Sequence, residues 1–108
     1  MKARWIGIPV IALMFLGAGK AWADEALARR SGCLECHSVD KKVIGPAFHD
    51  IAARYSNVAR ARATLMEKVK KGGKGNWTEV TGGVPMPPHS PRLTDAEIQR
   101  LVDWVMSL

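Results

Sequence analysis

An all-α fold is predicted by three features of this chain. Ile98, Leu101, Val102 and Val105 recur at i, i+3, i+4 and i+7, the spacing that gathers apolar side chains on one face of a helix. No stretch alternates apolar and polar residues for the length a half-buried strand needs. Glycine and proline cluster at 45–46, 72–75 and 82–88, and they cut the chain into pieces of helix length.

Residues 24–30 are helix formers and make a short first helix. Gly45-Pro46 breaks the chain, and residues 48–55 form a second helix with Ile51, Ala52 and Tyr55 turned inward. Residues 59–71 form a third, with Leu65, Met66 and Val69 apolar. Gly72-Gly73 stands at its end, where glycine relieves a left-handed cap. The segment Lys71-Gly72-Gly73-Lys74-Gly75-Asn76-Trp77 lacks the Gly-Lys-Ser/Thr ending of a phosphate loop and reads as a flexible connection. Gly83-Val84-Pro85-Met86-Pro87-Pro88 is stiff and non-helical, because proline fixes φ and offers no backbone donor. Thr94 and Glu97 then open the last helix with a capping box, Leu93 and Ile98 staple it, and Trp104 is expected on the flank of its apolar stripe. No internal repeat is visible.

The N-terminus sets the compartment. Lys2 and Arg4 precede an apolar run over residues 5–16, and small residues follow up to Ala21-Trp22-Ala23. A basic start, a short apolar stretch and an A-x-A site describe a secretory signal peptide at 1–23, cleaved after Ala23, with one domain at 24–108. Read as an uncleaved anchor, the apolar run falls short of the ~20 residues that span a bilayer, and Pro9 interrupts it. The chain's formal net charge is +6; Lys2, Arg4 and Lys20 belong to the leader, which leaves +3 on the domain. No basic block is interleaved with stacking aromatics, which argues against nucleic acid as a partner. A domain this short buries a modest core and needs a staple: a disulfide, a metal or a cofactor.

The two cysteines supply it. They stand in Cys33-Leu34-Glu35-Cys36-His37. A thioredoxin-like pair follows a buried strand, whereas helix formers precede this one. A structural zinc site needs four ligands, and no second Cys or His pair lies at finger spacing. A disulfide within the motif would close a loop too short to constrain much. The remaining reading is C-x-x-C-H haem attachment: two thioethers hold the porphyrin edge, and His37 lies over the iron as proximal ligand.

A distal ligand is to be found among His49, His89, Met66, Met86 and Met106. Met86, on the proline-stiffened loop, is best placed to press a thioether on the iron. Met66 and Met106 lie in helical patterns, where methionine is usually core filler, and His49 follows His37 too closely to cross to the other face. His89 remains a rival; as a plain residue it would be an exposed loop histidine. Pro46 is placed to offer His37 a carbonyl that fixes its tautomer, with an ordinary loop proline as the alternative. Trp77 has an indole N–H that a haem propionate would accept, with loop packing as the alternative.

Cys33-x-x-Cys36-His37, Gly45-Pro46-Ala47, the lysine-flanked Gly72-Gly73, Gly75-x-Trp77 and Val84-Pro85-Met86-Pro87-Pro88 occur in the order seen in one family. Over this whole span the chain resembles the small class I bacterial cytochromes c, the short group that serves nitrite reductases and terminal oxidases. The resemblance implies a four-helix fold with first and last helices crossing, and one haem c bound through Cys33 and Cys36. It further implies His37 and Met86 as axial ligands, Pro46 as acceptor from His37, and Trp77 and Lys68 reaching a propionate. The function implied is that of a periplasmic, monomeric one-electron carrier rather than an enzyme, without stable membrane insertion. Its donor would be a quinol-oxidising complex or another cytochrome, and its acceptor a nitrite reductase, a peroxidase or a terminal oxidase. Lys41, Lys42 and Lys74 are placed to steer it towards acidic patches on these redox proteins. Two departures stand out. The 78–84 loop is longer than in the shortest members, and His89 stands where many members have an asparagine that bonds the methionine sulfur.

Overall fold

The computed structural model describes Gly7 and residues 18–108; the apolar run of the expected leader lies outside the described residues. Among the described residues the regular elements are six helices: α1 (Ala18–Arg30), α2 (Cys33–Cys36), α3 (Phe48–Tyr55), α4 (Ala61–Lys71), α5 (Thr78–Thr81) and α6 (Asp95–Met106). Two single bridges, His37 with Lys42 and Gly73 with Met86, take the place of any sheet. The all-α expectation holds.

The last helix organises the rest. Thr94 accepts from the Glu97 backbone while the Glu97 side chain accepts from the Thr94 backbone, so the capping box starts α6 where the sequence places it. Leu93 and Ile98 are both buried, as a staple requires. α6 then packs against α1, α3 and α4. Leu27 and Ala28 from α1, Phe48 and Ile51 from α3, and Ile98, Leu101 and Val102 from α6 form one buried cluster. Ile98 is wholly buried, which at the usual transfer cost stabilises the fold by about 2–3 kcal/mol. Arg100 reaches Asp24 on α1 at 2.9 Å and Asp103 meets Arg62 on α4 at 2.6 Å. These solvent-facing pairs add little beyond orientation.

Four local expectations are corrected. Trp104 belongs to the core rather than its flank: it is buried and meets Phe48 edge-on at 5.4 Å. Since α6 has three partners, the arc it buries is wider than a single stripe. α1 begins at Ala18 rather than at 24, and α4 at Ala61 rather than at 59, because Arg60 is left-handed (φ 59°). The 78–84 stretch is not wholly loop: α5 forms there and is closed by Gly82 at φ 64°.

Candidate functional site

A cavity of about 420 Å³ opens between α2, α4, α6 and the two irregular segments, within the size range of cofactor sites. Its lining is mainly apolar and draws Cys33, Cys36, His37, Pro46, Trp77 and Met86 to one place, together with Lys68. Every residue singled out from the sequence as part of a haem site therefore faces the same space.

His37 is fixed from several directions. Its backbone N–H closes α2 on the Cys33 carbonyl at 2.9 Å. The following loop folds back, so that the amides of Ile44 and Gly45 both donate to the Cys36 carbonyl, at 3.1 and 2.7 Å. This return brings Pro46 to the ring: His37 Nδ1 lies 2.7 Å from the Pro46 carbonyl oxygen. A carbonyl can only accept, so Nδ1 carries the proton and Nε2 keeps its lone pair. Phe48 stacks on the imidazole at 4.9 Å. Gly45 is obligatory here, since a Cβ would stand 2.6 Å from His37 Cε1. Burial pushes the His37 pKa down against the opposing pull of the Pro46 bond, which favours the neutral ring a metal needs. The two thiols beside it are free and half-buried, and burial raises that of Cys33.

Met86 is held by a different device. Its amide donates to the Gly73 carbonyl at 3.0 Å and its carbonyl accepts from Gly73 at 2.9 Å. Gly72, at φ 68°, lies so close that a Cβ would run into the Met86 carbonyl and come within 2.8 Å of Pro87. Three residues on, the His89 amide donates to Val69 of α4 at 3.0 Å. The strap 83–89 is thus tied to α4 and to the glycine turn that follows it, on both sides of Pro87-Pro88.

His89 itself departs from its plain reading as an exposed residue: it is 4% exposed, lines the cavity, and its Nδ1 has no partner among the described residues. Burial, and then the Arg92 cation, hold its pKa down. The other sequence-level candidates lie elsewhere. His49 is exposed and pairs with Asp40 at 3.1 Å, and Met66 and Met106 pack against the core. At the polar end, Lys68 donates to the Gly73 carbonyl at 2.7 Å, and Lys74 joins the lining. Lys41 and Lys42 are exposed on the loop that carries Ile44.

Sequence reasoning passed over Phe48 as a ring support and Arg54 altogether. The Arg54 guanidinium lies 4.4 Å over the Trp77 ring and donates to the Asn76 carbonyl at 3.4 Å. No local pattern announces that contact, which spans two elements; for Phe48, its nearness to the Gly45-Pro46 break was the one available signal.

These residues suit a haem. The lining is mainly apolar, as a porphyrin's faces are, two thiols and an imidazole with a free Nε2 share it, a thioether lies on the strap, and Lys68, Lys71 and Lys74 join them. The glycines at 45 and 72 keep the cavity's supports close-packed where a side chain would spread them.

Comparison with known proteins agrees. The cytochrome c family model matches residues 18–108. Cytochrome c-552 of Nitrosomonas europaea is 42% identical over 108 residues, covering 100% of this chain and 99% of that one. Cytochrome c-551 of Pseudomonas aeruginosa is 39% identical over 102 residues, covering 93% and 92%. The crystal structure of the N. europaea cytochrome c552 superposes with a TM-score of 0.69 at 40% identity, over 77% of this chain and 96% of that one.

Proposed function

The chain belongs to the cytochrome c family, carries one covalently attached haem c and transfers electrons, and we propose that it is a soluble periplasmic carrier with His37 and Met86 as axial ligands. The observation that supports this best is the fixed His37 ring. Nδ1 is committed to Pro46, so Nε2 has its lone pair available inside the cavity that Met86 also lines. Haem supplies an iron that accepts and returns one electron. The protein's part is to keep the coordination shell and its surroundings alike in both states. Pro46 and Phe48 stop the imidazole from turning, and the doubly bonded Gly73–Met86 bridge limits how far the thioether travels. The apolar lining excludes water, and methionine ligation favours the reduced state. Trp77 and Lys68 would hold a propionate, with Lys68 exchanging its bond to Gly73 for the carboxylate.

The leader at 1–23, cut after Ala23, would deliver the chain to the periplasm; among the described residues no helix is long and apolar enough to cross a membrane. There its donor would be a quinol-oxidising complex or another cytochrome, and its acceptor a nitrite reductase, a peroxidase or a terminal oxidase. Lys74, exposed in the cavity lining, with Lys41 and Lys42, would steer the encounter. Proton NMR of the reduced holoprotein tests the ligation. The methionine methyl resonance shifted far upfield by the haem ring current should vanish in Met86→Ala and survive in Met66→Ala and Met106→Ala. Survival in Met86→Ala would overturn the assignment. Stopped-flow reduction by an acidic redox protein should slow as salt rises, and less steeply in Lys41→Glu/Lys42→Glu. A flat response would dispose of the steering role.

A further inference from the structure

His89 lines the cavity and has no part in the reading above. A buried ring nitrogen without a hydrogen bond is a cost that native proteins generally avoid. The backbone around it is rigid: its amide is bonded to Val69, its carbonyl accepts from Leu93 at 2.8 Å, and Pro87-Pro88 link it to Met86. Met86 and His89 thus stand three residues apart on one stiff strap, and both line the cavity. Burial and the nearby Arg92 keep it neutral, and its charged form would also bear on His37. A neutral imidazole that lines an apolar cavity keeps one ring-nitrogen lone pair to offer iron.

We propose that His89 is a reserve distal ligand: when the Met86 sulfur leaves the iron, the His89 imidazole takes its place and the coordination shell stays closed. The proposal rests on Met86 being the resting ligand. The exchange breaks one dative bond from sulfur and forms one from a ring-nitrogen lone pair, with no electron transferred and no proton released. Hydrogen peroxide is one trigger; it gives an oxygen atom to the Met86 thioether, leaving the sulfoxide and water. With His89 in place, the iron has no open position for a second peroxide. The residue would protect the carrier from becoming a peroxidase.

The test uses optical and electron-paramagnetic spectra of the oxidised holoprotein and of Met86→Ala, His89→Ala, Met86→Ala/His89→Ala and Met86→Ala/His49→Ala, with peroxide turnover alongside. The parent and His89→Ala should both keep the far-red band of methionine–iron ligation. Met86→Ala should lose the band yet stay low-spin with two nitrogen ligands, as should the variant that also lacks His49. Removing His89 as well should make the iron high-spin and raise peroxide turnover. His89→Asn, judged by circular dichroism, replaces His89→Ala if the latter does not fold. A Met86→Ala protein that is already high-spin, or a double variant lacking His89 that is still low-spin, would overturn the proposal. A parent without the far-red band that becomes high-spin in His89→Ala would make His89 the resting ligand, and would remove the Met86 assignment as well.

Discussion

Around α6 the apolar side chains meet one another: Leu27 and Ala28 from one helix, Phe48 and Ile51 from a second, Ile98, Leu101 and Trp104 from the last. Around residues 72–89 the chain meets itself through its backbone, in the paired bonds of Gly73 with Met86 and the bond from His89 to Val69. Two of its side chains there, Met86 and Trp77, are only half-buried and face the cavity. The helical seam is closed by its own residues, whereas the strap is shaped to be closed by something else. In a domain with so small a core, the group that fills the cavity holds the two regions together.

The largest effect should come from denying the chain that group. Cys33→Ala/Cys36→Ala should lose the cooperative thermal transition; a sharp transition in this variant would mean that the seam suffices alone. Within the seam, Ile98→Ala should cost about 3 kcal/mol in denaturant unfolding of the holoprotein, because the site is completely buried. On the strap, Gly72→Ala should cost about 2 kcal/mol through its left-handed backbone and its collision with the Met86 carbonyl. Unlike Ile98→Ala, it should also weaken the far-red band, which separates the two regions by readout.

The smallest effects belong to the cap of α6. Thr94→Ala should cost about 1 kcal/mol and leave the haem spectrum unchanged. Bonds from the Thr94 backbone and hydroxyl hold the Glu97 carboxyl below its ordinary range. A depressed carboxylate contributes stability that is present above its unfolded pKa and is lost as pH falls through the folded value. The acid limb of a stability–pH curve should therefore be shallower in Thr94→Ala.

The same division governs what the sequence discloses. α6 was legible to its capping box because both its cap and its stripe are local patterns, and α3 was legible to its ends from the Gly45-Pro46 break before it and the spacing of its apolar residues. C-x-x-C-H disclosed the cofactor because its chemistry is written in five consecutive residues. Trp104 was misplaced because three neighbouring helices, not one, decide which arc of α6 is buried. His89 follows two prolines and looks like surface, yet it is buried where its amide pairs with Val69, twenty positions earlier. Arg54 over Trp77 is likewise a contact between distant segments. Local patterns reveal the seam; the cavity depends on pairings that no local pattern encodes.

This chain carries covalent haem and transfers electrons, and we propose methionine on the iron. The visible spectrum of the exported protein, oxidised and reduced, before and after acid–acetone extraction, tests it most directly. Haem should stay with the polypeptide, with a narrow reduced α band and the weak far-red band in the oxidised form. Covalent haem without that band would contradict the Met86 assignment, and extractable or absent haem would contradict the claim itself.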